Sequence, residues 1–143
     1  MATLLGTPYE RGKSDVIVSR LVASPIEEGL FVADKSKTEV EAMASGKVPA
    51  GVMGQNEVVG CSVVKSGLRV YVQADDNCVP TVGAQVYVIP ASGKATHTDN
   101  SSANIGVNAV FAEGALKSDG VSENTTTKST TKKCVAINFV GGL

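Results

Sequence analysis

The stretch from Val48 to Phe111 constrains the fold most, because short runs of Val, Tyr and Ile are interrupted there by Gly, Pro, Asn and Asp. The interruptions come roughly every eight to twelve residues, the spacing of strands and turns in all-β proteins. No window in the stretch repeats its apolar residues at the helical period of about 3.6. The stretch therefore predicts the wall of a small β-barrel or sandwich, to which both ends of the chain are added.

Two segments show the alternation expected of half-buried strands. In 68–73 the even-numbered residues are Leu or Val and the odd-numbered ones are Arg, Tyr and Gln. Segment 84–89 repeats the arrangement, with Val86 and Val88 on its apolar face. Tight hairpins are predicted at 65–68 and around Ser92 and Gly93.

Composition supports the same fold class. The chain holds 22 Val against 7 Leu, and Val suits a pleated surface better than a helix. Its 143 residues predict one domain with a core of its own. Segment 34–46 is polar and predicts either one helical turn or a weak strand. The predicted strands are 15–23, 29–33, 48–53, 59–65, 67–74, 84–90, 94–98, 104–111 and 134–140.

The two ends of the chain differ from this pattern. Residues 1–15 neither alternate nor repeat at helical spacing, so they are either an ordered extended arm that packs on a partner or a frayed terminus. Residues 16–143 are the predicted β-barrel domain. Within it, 118–133 contains a run of Ser, Thr and Lys with almost nothing to bury, which predicts an exposed loop.

Catalytic signatures are weak. Gly6 to Ser14 looks like a phosphate-binding loop, but it has five residues between its glycines where that loop needs four. The β-branched residues after Asp15 predict a strand where that loop requires a helix. His97 is the one histidine, and it predicts a surface or hydrogen-bonded polar residue. An enzyme is not expected, and no catalytic, cofactor-binding or metal-binding residue is predicted.

The charge balance and the cysteines bear on partners and location. A net charge of -1 and 4% aromatic residues argue against a nucleic-acid binder built on a basic, aromatic surface. Cys61, Cys78 and Cys134 are odd in number and lie among apolar neighbours, which predicts buried thiols in a reducing compartment. The N-terminus carries charges by residue 10, so no signal peptide is expected. No apolar run approaches the length of a membrane span, so no membrane association is expected either. We expect synthesis in a cytoplasm.

A succession of short signatures resembles the small capsid cement or decoration proteins of tailed bacteriophages. The opening Leu-Gly-Thr-Pro-Tyr at 5–9 resembles the start of such proteins, and the similarity covers 1–111 and 134–140. The Thr-rich segment has no counterpart in the family pattern. The signatures that follow the opening, in order, are 25–32, 49–52, 79–88, 92–94, 104–107 and 135–139.

The resemblance implies a structural virion protein: a β-barrel, commonly a homotrimer, that binds the outer face of a phage head where coat subunits meet. The implied partners are the major capsid protein and copies of the chain itself, with no cofactor, nucleic acid, membrane or small-molecule substrate. The implied location is the capsid exterior, after synthesis in the host cytoplasm.

The N-terminal arm carries the site hypothesis. Tyr and Arg are the residue types that most often dominate protein interfaces, and the Gly and Pro residues around them let the backbone lie flat on a partner. We therefore expect a capsid contact formed by Leu4, Leu5, Pro8, Tyr9 and Arg11.

Two alternatives stay open. An OB-like barrel that binds single-stranded nucleic acid would use Lys65, Arg69, Tyr71, Tyr87 and Lys94 on one face. A tail-tube or head-completion protein of the same viruses would instead form rings or tubes on self-assembly.

Overall fold

The computed structural model describes residues 5–6, 8–10, 16–57, 60–119, 132–141 and 143. Within these residues it contains strands and no helix, so the predicted all-β class is confirmed. The strands are β1 (Pro8–Glu10), β2 (Val16–Val22), β3 (Phe31–Asp34), β4 (Glu39–Ala42), β5 (Pro49–Glu57), β6 (Gly60–Ser66), β7 (Leu68–Gln73), β8 (Gln85–Val88), β9 (Ala95–Thr96), β10 (Ile105–Phe111), β11 (Lys117–Asp119) and β12 (Lys132–Phe139).

Five strands close a barrel in the order β2, β4, β3, β5, β6. Strands β2 and β4 pair in parallel, and the other neighbours pair in antiparallel fashion. Closure gives every strand of the barrel two neighbours, although β2 pairs with β6 along residues 16–20 and with β4 at Leu21 and Val22. Its small interior core consists of Ile26, Val32, Val40, Met53, Cys61 and Val63.

The remaining strands form a second sheet in the order β1, β7, β12, β10, β8, β9, with β11 beside β12. This sheet curls back on itself, because Ala74 bridges Ala95 and the Asp75 amide donates to the Ala95 carbonyl at 2.9 Å. The central stretch of the sequence, 48–111, therefore contributes strands to both the barrel and the second sheet.

The largest core lies between the barrel and the second sheet. Alternation along the barrel strands produces it: Met53 points into the barrel, while its neighbour Val52 points out toward the sheet. Each large aliphatic side chain buried here contributes roughly 1.5–3 kcal/mol. The barrel contributes Phe31, Ala33, Val52 and Val64, and the sheet contributes Val70, Val72, Val86, Val88, Val107, Ala109, Phe111, Val135, Ile137 and Phe139.

The predicted hairpin at 65–68 is wrong. Strand β6 already pairs with β2 on one edge and β5 on the other, so β7 cannot pair with it. The chain instead passes at Gly67 from the barrel to the second sheet, where Leu68 pairs with Glu10. The hairpin around Ser92 and Gly93 is confirmed, with β8 and β9 paired across it.

The segment 68–73 is buried on both faces over most of its length, although half-burial is predicted. Val70 and Val72 face the main core, and Tyr71 and Gln73 are also buried on the opposite face. The sequence pattern misses this because the cover comes from distant parts of the chain, including Leu5. Segment 84–89 behaves as predicted, with Val86 and Val88 buried.

The polar and terminal segments complete the comparison with prediction. The stretch 34–46 contains strand β4, which is the weak-strand alternative, and no helical turn. Short strands β1 and β11 are additional to the predicted ones. Both ends of the predicted loop at 118–133 are strand, since Asp119 pairs with Lys132, and residues 120–131 lie outside the described part of the chain. The division into an arm over 1–15 and a β-barrel domain over 16–143 stays a prediction.

Candidate interaction surface

The N-terminal turn packs on the outer face of the second sheet, the face opposite the main core. Leu5 is only 5% exposed and joins a small cluster with Tyr71, Cys134 and Ala136. The Gly6 amide donates to the Tyr71 carbonyl at 2.8 Å. Leu5 and Gly6 are therefore fixed to the second sheet.

Gly6 is required by local geometry. Its φ of 69° lies in the left-handed region, and a Cβ at this position would overlap the Met53 carbonyl oxygen of β5. The turn thereby sits between the barrel strand β5 and the sheet strand β7. Strand β1 then continues along β7, with Pro8 opposite Val70 and Glu10 opposite Leu68.

A polar cluster lies beside this turn, around the Glu113 carboxylate. Its Oε2 accepts from Lys117 Nζ at 2.7 Å and lies 3.4 Å from Arg69 Nη2 and from the Tyr71 hydroxyl. Lys117 Nζ also donates to the Tyr71 hydroxyl at 3.0 Å and lies 5.3 Å from the centre of its ring. Four side chains from two stretches of the chain are thus linked around the nearly buried phenol ring of Tyr71.

Two opposing effects set the pKa of Glu113. Burial raises it, but the hydrogen bond and charge of Lys117, the Ala136 amide and the charge of Arg69 outweigh burial and leave the pKa below its ordinary value. The hydrogen bond from Lys117 to Glu113 is also the main cause of the raised pKa of Lys117. At neutral pH the cluster holds two cations and one carboxylate, a net positive charge.

The backbone at Arg69 is strained. Its φ of 50° is uncommon for a residue that is not glycine, and here it occurs inside a strand. The Asn138 side chain stabilises this conformation, because its Oδ1 accepts from the Arg69 amide at 2.8 Å. Such strain concentrates at binding and switch regions.

The structure places the predicted capsid-contact residues unevenly. Pro8 and Tyr9 belong to β1, at the edge of the second sheet. Leu5 is buried against the sheet, so its direct role is to anchor the segment. Leu4 and Arg11 lie outside the described residues. The contact itself stays a prediction.

The five residues of the nucleic-acid alternative do not form one face. Lys65 belongs to barrel strand β6 and donates to the Ala50 carbonyl at 2.8 Å, whereas Arg69, Tyr71 and Tyr87 belong to the second sheet and Lys94 to the turn before β9. Tyr71 is 3% exposed, so its ring offers no surface for base stacking.

The loop between β7 and β8 brings Asp75 and Cys78 close to His97. The Val79 amide donates to His97 Nδ1 at 3.0 Å, so the imidazole holds the loop, as expected of a hydrogen-bonded surface residue. Burial, followed by the charge of Asp75, raises the pKa of Cys78 to about 11, while an amide of His97 acts in the opposite direction. A thiol with this pKa is protonated at neutral pH and is a poor nucleophile. All three cysteines are buried and free, which confirms the predicted thiols.

Within the described residues, no group of three or more His, Cys, Asp or Glu side chains is placed to hold a metal ion. The same part of the chain contains no helix with the length and apolarity needed to cross a bilayer.

Sequence reasoning missed Glu113 and Lys117, which organise the polar cluster. The local signal is their spacing of four residues with opposite charge, in the stretch 112–117, which no predicted strand or loop includes. Their meeting with Tyr71 depends on pairing between strands more than 40 residues apart along the chain.

No family model and no curated protein matches the sequence. The fold is similar to a chain of the solved structure titled "The capsid of Myoviridae Phage XM1", with a TM-score of 0.69. The two chains are 17% identical, and the superposition covers 96% of this chain and 91% of that one. At this level of identity, the likeness shows that the two chains share a fold over nearly their whole lengths.

Proposed function

We propose that the chain is a structural protein of a phage virion, and specifically a cement or decoration protein. It binds the outer surface of the capsid between coat subunits, stabilises the head and performs no reaction. The observation that carries this proposal is the shared fold, over 96% of the chain, with a chain from a phage capsid structure. The ordered sequence signatures of cement proteins support it independently.

The edge strand β1 supplies a means of binding. Among the described strands, β1 pairs only with β7, so its other edge is open to an added strand. An extended coat segment that pairs there would gain main-chain hydrogen bonds with little demand on its sequence. Leu5 and Gly6 hold β1 in place, which lowers the entropy lost when the partner binds.

The contact in this proposal comprises Leu4, Leu5, Pro8, Tyr9 and Arg11. Tyr9 and Arg11 supply the direct binding energy, as Tyr and Arg commonly do at interfaces. Leu5 acts through its packing on Tyr71 and holds the segment against the sheet.

Repetition of this contact strengthens it. A homotrimer that engages several coat subunits gains effective concentration, which raises overall affinity by about 10² to 10⁴ without a new type of contact. The protein would be made in the host cytoplasm and would end on the capsid exterior.

Binding to preformed heads tests the proposal. Heads of candidate tailed phages that lack decoration are mixed with the purified protein, and binding is measured by co-sedimentation and negative-stain imaging. Deleting residues 2–13 should abolish binding, but it also removes buried Leu5. The sharper variant is the double change Tyr9→Ala and Arg11→Ala, which should weaken binding at least about 30-fold.

The matched control is Lys37→Ala, an exposed change in the turn between β3 and β4 of the barrel, which should bind like the parent. Unchanged affinity of the double variant would show that the arm is not the contact. Self-assembly into rings or tubes, with no head binding, would instead favour a tail-tube or head-completion role.

A further inference from the structure

One strand of the barrel presents apolar side chains to solvent. Strand β2 alternates so that Ile17, Ser19 and Leu21 point outward, and a register shift between Val16 and Ile17 exposes Val16 as well. Leu68 lies at the same end, two residues beyond Ser66, the register partner of Val16. We call Val16, Ile17, Ser19, Leu21 and Leu68 the β2 face.

The β2 face is concentrated apolar surface. It holds four of the eight exposed large hydrophobic residues found in the described part of the chain. Exposure there ranges from 39% for Ile17 to 51% for Leu21. Grouped apolar exposure of this kind marks interaction surfaces, whereas single exposed residues need no explanation.

Among the described residues, no second layer covers this wall, although the second sheet covers the adjacent one. Ile17 is the register partner of Val64, which is 1% exposed because the second sheet packs over it. Strand β2 is hydrogen-bonded to β6 along residues 16–20 and to β4 at Leu21 and Val22. The outward side chains of the β2 face point away from both neighbouring strands, so a partner that covers them binds through side-chain packing.

The charged groups beside the β2 face are neutralised within the chain. Glu39, the register partner of Leu21, forms an ion pair with Lys35 at 3.1 Å. Lys65, which follows Val64 on β6, lies 4.0 Å from Asp34 and donates to the Ala50 carbonyl at 2.8 Å. Arg20, the charged residue within β2, alternates to the opposite side of the strand from Ile17, Ser19 and Leu21, and its Nη1 donates to the Ser19 carbonyl at 2.9 Å. The β2 face itself therefore presents apolar and hydroxyl side chains, so two copies can meet there without like charges directly opposed.

The chain's own nearby segment is a poor cover for this face. Residues 11–15, which join β1 to β2, read Arg-Gly-Lys-Ser-Asp and contain no large apolar side chain. A second copy offers matching chemistry, since it presents the same apolar, uncharged surface. A net charge of -1 leaves little long-range repulsion between copies.

We propose that the β2 face is the surface on which a second copy of this chain docks, with the two β2 strands packed side chain to side chain near a symmetry axis. This inference rests on the proposed function, in which the protein acts as an oligomer. A closed symmetric assembly places the same patch of every copy close to its axis.

Disulfide trapping tests the contact directly. Ser19→Cys introduces a thiol on the exposed side of β2, and the three native cysteines are buried and do not compete. Mild oxidation should yield a covalent species of two chains. Thr81→Cys, equally on the surface but in the loop between β7 and β8, is the matched control and should stay uncrosslinked at the same protein concentration. Equal crosslinking of the two variants, or none in either, would overturn the proposal.

A second experiment measures how strongly the copies associate. The double variant Ile17→Lys and Leu21→Lys places like charges across the contact, so sedimentation velocity should show a dissociation constant raised about hundredfold or more. Circular dichroism and thermal melting establish that the variant is folded. Val79→Lys and Val82→Lys, exposed to a similar or greater degree on the distant loop, should associate like the parent. A folded Ile17 and Leu21 variant that associates normally would refute the proposal.

Head binding separates this inference from the proposed function. If the β2 variant remains oligomeric but no longer binds heads, the face belongs to the coat contact and the second-copy assignment is wrong. If the parent protein binds no head yet its self-association depends on β2, the proposed function fails and this inference stands.

Discussion

Strands β3 and β2 both present apolar side chains on the outside of one barrel, yet one set is buried and the other is exposed. Phe31 of β3 is 1% exposed beneath the second sheet, whereas Leu21 of β2 is 51% exposed. Both strands alternate inward and outward residues in the same way. The difference lies in whether a second layer covers the wall.

The comparison shows that one pattern serves two purposes in this protein. Where the sheet covers the wall, apolar residues stabilise the fold. Where no layer covers it, the same kind of residue remains available to a partner. The consequence is that substitutions on the two walls should separate stability from association.

The largest effect is expected from Phe31→Ala. Truncation of this buried ring leaves a cavity between barrel and sheet and should lower the free energy of unfolding by about 3–5 kcal/mol. Leu21→Ala is the matched change on the uncovered wall, and it should cost about 1 kcal/mol or less. Urea unfolding, at concentrations where the chain is monomeric, measures both. Similar costs for the two variants would contradict the difference in cover.

The N-terminal turn extends the comparison to the outer face of the second sheet. Gly6→Ala forces a Cβ against the Met53 carbonyl and should detach the turn that covers Tyr71. Gly46 is the matched control, because its φ of 83° is also left-handed but an added Cβ there meets nothing within 4 Å. Backbone strain alone should make Gly46→Ala lower the free energy of unfolding by about 1–2 kcal/mol.

Crowding between the added Cβ and the Met53 carbonyl should make Gly6→Ala lower the free energy of unfolding by about 1–3 kcal/mol more than Gly46→Ala does. Urea unfolding measures the difference. In a Tyr9→Phe and Tyr87→Phe background, which leaves Tyr71 as the one tyrosine of the chain, tyrosine fluorescence reports whether the cover of the buried Tyr71 is lost. Equal costs for the two glycines would mean that the turn does not pack as described.

Much of the fold could be predicted from the sequence because the relevant signals are local. Alternation at Val86 and Val88 identifies the buried face of β8, and Ser92 and Gly93 mark the hairpin that follows. Alternation states which side chains share a face, but it does not state which strands share a sheet. The error at 65–68 follows from this, since the pairing of β6 with β2 and β5 depends on distant residues.

The candidate surface was less accessible to prediction for the same reason. The residue types of the arm predict a contact, whereas Leu5 packs on its own sheet, and no signal near Leu5 in the sequence indicates Tyr71 as its neighbour. Glu113 and Lys117 lie in 112–117, a stretch that no predicted strand or loop includes. Exposure of Ile17 depends on which walls of the barrel the second sheet covers, and that is a property of the tertiary fold.

The smallest effect is expected at the half-covered polar cluster, where Glu113→Gln should weaken the protein in a pH-dependent manner. The pKa of Glu113 is lower in the folded chain than its ordinary value of 4.5, so the unfolded state takes up the proton first. The carboxylate therefore stabilises the fold above about pH 4.5, and this contribution is lost as pH falls through the lowered pKa. Because Lys117 and Arg69 are partly exposed, solvent screens the interaction, and the loss should be smaller than that at Gly6.

Unfolding free energies at pH 7 and at pH 3 measure this contribution. The difference between the parent and Glu113→Gln should shrink toward zero as the solution is acidified, because the protonated carboxyl and the amide are then alike in charge. Lys117→Met serves as the control background: with the main hydrogen-bond donor removed, Glu113→Gln should cost less at pH 7 than it does in the parent. A difference that is constant from pH 7 to pH 3 would show that the charge of Glu113 does not stabilise this face, and the cluster would then be a surface feature comparable to the exposed β2 wall.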